Sequence, residues 1–89
     1  MIENRNDTQM EPVDIYGTLS VATNPSGARI FLDNRYYEMT PDRIKLKEGE
    51  YALKLEKQDY KPLVQKIFIR RLQETRLSFH LEPMVSYGT

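Results

Sequence analysis

The chain has 89 residues, enough for one small domain and too few for a cofactor domain beside a substrate domain. Thirteen basic and thirteen acidic side chains cancel to a formal net charge of zero, which argues against nucleic acid or an anionic membrane as a bulk electrostatic partner. Cys is absent and His80 is the lone histidine, so disulfides, Cys-based metal sites, Cys nucleophiles and His clusters are excluded.

The charge is unevenly spread. In residues 1–16, Glu3, Asp7, Glu11 and Asp14 stand against Arg5, a net of −3, so the rest of the chain carries a net of +3. This segment has neither the basic start nor the apolar stretch of a secretory signal and is expected to be a flexible acidic leader. No apolar run approaches the ~20 residues a membrane helix needs, so no membrane insertion by this segment is expected. The compartment stays open: extracytoplasmic or cell-surface-associated for a piece of a longer chain, cytoplasmic for a complete product.

From Gly17 onward the hydrophobic pattern has a period of two. Leu19 and Val21 come first, then Ile30 and Leu32, then Ile44 and Leu46. Tyr51, Leu53 and Leu55 follow, then Leu63, Ile67 and Ile69, then Leu77, Phe79 and Leu81. Such alternation marks strands with one buried and one wet face, and six or seven short ones predict a small all-β antiparallel sandwich or barrel.

The breaks carry turn chemistry. Asn24-Pro25-Ser26-Gly27 fits a type I turn with a left-handed exit at Gly27. Asp33-Asn34-Arg35 is a second turn, because Asp and Asn tolerate positive φ. Thr40-Pro41 enforces extended backbone and suits a sheet edge. A two-residue loop at Glu48-Gly49 would pair Leu46 with Tyr51 and Ile44 with Leu53. Asp59-Tyr60-Lys61-Pro62 marks the next reversal, with Tyr60 over one end of the sandwich, and Arg71-Leu72-Gln73-Glu74 the last. Asn24, Pro25, Gly27 and Gly49 are thus the expected structural turn residues.

Gly17-Thr18-Leu19-Ser20-Val21, Asn24-Pro25-Ser26-Gly27-Ala28, Thr40-Pro41, Glu48-Gly49 before Tyr51-Ala52-Leu53-Lys54-Leu55, Asp59-Tyr60 and Leu77 to Pro83 together resemble the PEGA domain family. The departures are Ser26 for the family's Glu, Asn34 and Asp59 for glycines, and Glu38-Met39 where a Gly often precedes Thr-Pro. The resemblance implies a small β-sandwich of transthyretin (prealbumin)-like character over residues 17–83, with residues 84–89 a flexible end. It also implies a non-catalytic accessory module of bacterial or archaeal surface proteins or signalling assemblies, with no catalytic residues to carry over. Partners would be another protein or neighbouring domains of the same assembly.

No Ser, Asp or Glu is placed by a motif beside a catalytic partner, and there is no Gly-rich phosphate loop, so no catalytic, cofactor or metal residue is assigned and no enzyme activity is expected. Phe31, Val64 and Phe68 have the parity of the outer face and form a candidate interaction surface. Tyr36 and Tyr37, placed on the loop before Thr40, form a candidate aromatic platform, with glycan or cell-wall binding as the alternative function. Lys66, Arg70, Arg71, Arg76 and His80 would form a basic stripe only if the last two strands pair.

Overall fold

The computed structural model describes residues 15–84; the predicted leader up to residue 14 and the end from residue 85 lie outside the described residues. Seven strands follow one another: β1 (Tyr16–Asn24), β2 (Arg29–Leu32), β3 (Arg35–Met39), β4 (Asp42–Lys47), β5 (Gly49–Glu56), β6 (Leu63–Ile69) and β7 (Glu74–His80). They form a three-stranded sheet in the order β4-β1-β7 and a four-stranded sheet in the order β3-β2-β5-β6. Every neighbouring pair is antiparallel except β1 and β7, which run parallel.

The inward positions of the alternating runs make the core. Leu19 and Val21 of β1 and Ile44 and Leu46 of β4 come from one sheet. Ile30, Leu32, Leu53, Leu55, Ile67 and Ile69 come from the other, and Ala28 and Leu81 complete the buried set. Tyr37, Tyr51, Tyr60, Leu63, Leu77 and Phe79 pack around it, half-buried. Burying such side chains contributes about 1.5–3 kcal/mol each, and the alternation keeps the opposite faces polar.

Three expectations about connections change. First, Glu48-Gly49 does not close a hairpin. β4 pairs with β1, and β5 pairs with β2 and β6, so the chain changes sheets at this corner. Alternation fixes which face a strand buries, not which strand it bonds to, and two runs facing across the core satisfy it as well as two runs side by side. Gly49 takes a φ of +151°, the Glu48 amide donates to the Ile15 carbonyl at 2.8 Å, and the Tyr51 hydroxyl donates to the Lys47 carbonyl at 2.6 Å.

Second, Tyr36 and Tyr37 lie in a strand rather than a loop. Asp33 (φ +51°) and Asn34 (φ +69°) both adopt left-handed backbone, the requirement of a two-residue primed turn, and this returns the chain directly along β2 as β3. The Asp33 amide donates to the Ala52 carbonyl at 2.9 Å, and the Asp33 carboxylate accepts from the Ala52 amide at 2.8 Å, which fixes the turn against β5. Third, the segment after β1 is not a closed type I turn: the Gly27 amide donates to the Thr40 carbonyl, and the Asn24 carbonyl accepts from the Leu81 amide instead; the Asn24–Pro25 bond is cis. Gly27 still exits with φ +88°.

The Thr40–Pro41 bond is also cis, and it joins β3 to β4, each at the edge of its own sheet. Two buried threonines bind the two proline segments together. Thr23 Oγ1 donates to the Pro25 carbonyl at 2.8 Å, the Thr23 and Thr40 hydroxyls are hydrogen-bonded, and the Ala28 amide donates to Thr40 Oγ1 at 3.0 Å. The Thr40 amide donates to the Ala28 carbonyl and the Gly27 amide to the Thr40 carbonyl.

At the opposite end, the β6–β7 connection packs across the start of β1. The Leu72 amide donates to the Tyr16 carbonyl at 2.8 Å and the Thr18 amide to the Gln73 carbonyl at 3.0 Å. A Cβ on Gly17 would lie 2.2 Å from the Arg70 carbonyl oxygen, so only glycine permits this crossing.

Candidate interaction surface

The outer face of the four-stranded sheet carries most of the candidate residues, and register shows which of them meet. Phe31 of β2 is opposite Tyr36 of β3 on one side and Lys54 of β5 on the other. Lys54 is in turn opposite Val64 of β6. One row therefore crosses all four strands as Tyr36, Phe31, Lys54 and Val64.

The Phe31 and Tyr36 rings lie 5.6 Å apart between centroids and are tilted by 56°, an edge-inclined arrangement that aromatic pairs favour. The Lys54 ammonium sits 5.4 Å from the centre of the Phe31 ring and 3.1 Å from Glu56 Oε2. Arg29 approaches the other Glu56 oxygen at 3.6 Å.

Met39 joins this surface. It is opposite Arg29, and Arg29, Phe31, Tyr36, Met39 and Glu56 line one shallow hollow. Counting by twos from Tyr36 would put Met39 on the inner face. A register irregularity between Arg29 and Phe31 shifts the parity and turns Met39 outward. The sequence holds no Gly or Pro at that point to announce the irregularity. Met39 and Val64 are 53% and 69% exposed, so the apolar content of this row is open to solvent.

Phe68 and Tyr37 stand apart from this group. Phe68 is opposite Glu50, separated along β6 from Val64 by Lys66, and lies under the Arg70 guanidinium at 5.1 Å. Tyr37 packs against the core with Arg35 over its ring at 5.9 Å. Adjacent residues of a strand point to opposite faces, so Tyr36 and Tyr37 do not form one platform.

The basic stripe does not assemble either. Lys66 and Arg70 follow β6 in the four-stranded sheet, while Arg76 and His80 lie on β7 in the other sheet. Instead, Arg43, Lys45 and Lys47 follow one another on the outward positions of β4. Glu74 Oε2 forms ion pairs at 3.5 Å with both Arg43 and Arg76 on that face. Solvent-exposed pairs of this kind add little stability.

Of the expected turn residues, Asn24 ends β1, Pro25 begins the connection after it, Gly27 leads into β2, and Gly49 opens β5. The ionisation of Tyr51 departs clearly from the ordinary. Partial burial, followed by the neighbouring Tyr37 and Asp33, holds its phenol above the usual value of 10.0, against an opposing effect of Lys47. Among the described residues, no three of His, Cys, Asp or Glu gather closely enough to hold a metal ion, and no helix is long and apolar enough to cross a membrane.

These features define the class of small all-β domains built as a sandwich of two sheets. The PEGA domain profile matches residues 16–84, and the chain belongs to the PEGA domain family. This is a family of small accessory modules not known for catalysis. No curated protein matches the chain.

Proposed function

We propose that the chain is a non-catalytic interaction or spacer module that binds a partner protein through the outer face of its four-stranded sheet. Such a role fits a bacterial or archaeal surface or signalling assembly. The observation that carries this reading is the row Tyr36–Phe31–Lys54–Val64 with Met39 beside it, an exposed aromatic and aliphatic surface bordered by Arg29 and Glu56. Central apolar anchors with a charged rim are the arrangement from which protein interfaces draw most of their energy. A matching partner would present apolar side chains flanked by both signs of charge.

A non-catalytic role is supported by the chemistry of the described residues. Tyr51, whose ionisation is shifted, lies at the β4–β5 corner and bonds a backbone carbonyl rather than facing an acid or base partner in a cleft. Carbohydrate binding has less support, because the tilted Phe31–Tyr36 pair offers no flat platform and Tyr37 faces the core.

Affinity capture with the unmodified chain and with Phe31→Ser and Tyr36→Ala variants tests the proposal. A partner retained by the unmodified chain and lost by both variants is the expected result. Equal retention by all three removes this face from the account.

A further inference from the structure

Of the four sheet edges, three are blunted. β3 itself carries the irregularity in its pairing with β2, where Tyr37 and Glu38 stand against Ile30, and it runs into Pro41. β4 carries Arg43, Lys45 and Lys47 on its outward positions. β6 follows Pro62 and has Lys66 at its middle. Irregularities, prolines and lysines at such positions are the usual protection against strand addition. β7 has no irregularity, proline or lysine, and its one arginine, Arg76, lies 3.5 Å from Glu74 of the same strand. Its seven residues, Glu-Thr-Arg-Leu-Ser-Phe-His, pair along one side with β1, and no other described strand pairs along the second side.

The hydrogen bonding shows which backbone groups that free side presents. At one end of the β1–β7 ladder Thr18 donates to the carbonyl of Gln73, and at the other end Leu81 donates to the carbonyl of Asn24. In a parallel ladder the groups facing the neighbour belong to alternate residues. The odd-numbered residues therefore bond towards β1. The amides and carbonyls of Glu74, Arg76, Ser78 and His80 point to the open edge, while Leu77 and Phe79 lie half-buried below it.

We propose that β7 is a self-association edge, and that two copies of the chain join through antiparallel β7–β7 pairing with Leu77 on the two-fold axis. The parity of the free amides allows only registers that set even residues against even ones. A register that puts Arg76 on the axis sets Arg76 against Arg76 of the second copy. A register that puts Ser78 there sets Arg76 against His80. The register centred on Leu77 matches the whole strand. It sets Glu74 against His80 and Arg76 against Ser78 on the outer face, with Leu77 against Leu77 and Thr75 against Phe79 on the inner face.

This register satisfies all four free amides and carbonyls and avoids a like-charge pair. It also covers the half-buried Leu77 and Phe79 and merges two three-stranded sheets into one of six strands. A two-fold contact closes on itself and leaves no further edge of this kind. The pairing lies on the other sheet from Phe31 and Tyr36, so its success or failure is independent of the proposed partner surface.

A single strand pair buries less than the roughly 1,600 Å² of a standard stable interface, so the dimer is weak and must be sought at high concentration. Sedimentation velocity on the full chain across the micromolar to millimolar range should show the mass rising toward that of a dimer. Ser78→Pro removes an amide that points away from β1, and His80→Glu places carboxylates opposite Glu74. Both variants, verified as folded by circular dichroism, should stay monomeric over the same range.

In a chain without cysteine, Leu77→Cys brings two thiols together at a non-hydrogen-bonded pair, about 4.5 Å between Cα atoms, within disulfide reach. Thr75→Cys leaves its two thiols about 13 Å apart along the strands and should not cross-link. A chain that stays monomeric throughout overturns the proposal. So does a dimer that persists in both Ser78→Pro and His80→Glu, or one that cross-links through Thr75→Cys as readily as through Leu77→Cys.

Discussion

Replacing Thr40 by Val tests the polar link between the two proline segments. Thr23 spends its single hydroxyl proton on the Pro25 carbonyl, so Thr40 must donate to Thr23 while accepting from the Ala28 amide. The protons thus run in one direction, from Ala28 through Thr40 and Thr23 to Pro25. Thr40 is only 4% exposed and Ala28 is fully buried, so water cannot replace the lost hydroxyl.

Valine keeps the shape of threonine. It costs about 1–3 kcal/mol for the orphaned Ala28 amide and about 1 kcal/mol for the lost bond to Thr23. The sum, about 2–4 kcal/mol, lowers the melting temperature by roughly 8 °C or more in a domain of this size. Thr40→Ser keeps the hydroxyl and loses one buried methyl, worth about 0.8 kcal/mol. Urea unfolding of the three proteins measures the difference. A Val variant as stable as the Ser variant would refute the reasoning, because the hydroxyl would then have no stabilising role.

Gly17→Ala places a methyl against the Arg70 carbonyl and must displace backbone, at a cost of about 1–3 kcal/mol, whereas Ala at exposed Ser26 costs little; thermal unfolding distinguishes them. The raised ionisation of Tyr51 makes a pH prediction with a definite sign. The folded state favours the neutral phenol, so this contribution is whole below pH 10.0 and is lost as the pH rises through the higher folded-state value. Tyr51→Phe should be less stable by about 1 kcal/mol below that pH, through loss of the bond to the Lys47 carbonyl. The gap should narrow above it, and a constant gap in alkaline denaturant titrations would contradict the assignment.

Most strand positions were legible in the sequence because nearly all core residues sit in alternating runs. Leu19 and Val21, Ile30 and Leu32, and Leu53 and Leu55 all face inward as their parity requires. Partnering was not legible. The runs ending at Leu46 and starting at Tyr51 look like two arms of a hairpin, yet they belong to opposite sheets. Their alternation is equally satisfied across a core.

The β3 strand was hidden for a different reason. Asp33-Asn34 supplies two left-handed residues without a glycine, and Arg35–Met39 is largely exposed, so no hydrophobic alternation marks it. At the surface, the outward parity of Phe31 and Val64 could be read directly, whereas Met39 depends on the irregularity in β2–β3 pairing. The close approach at Gly17 comes from a turn more than fifty residues away and leaves no local trace.

The most direct test of the central claim is nuclear magnetic resonance mapping of a captured partner onto the chain, following side-chain and amide shifts during titration. The proposed surface predicts that the largest changes fall on Phe31, Tyr36, Met39, Lys54 and Val64. Changes concentrated on the outer face of β4, β1 and β7, with those five residues unmoved, would contradict it.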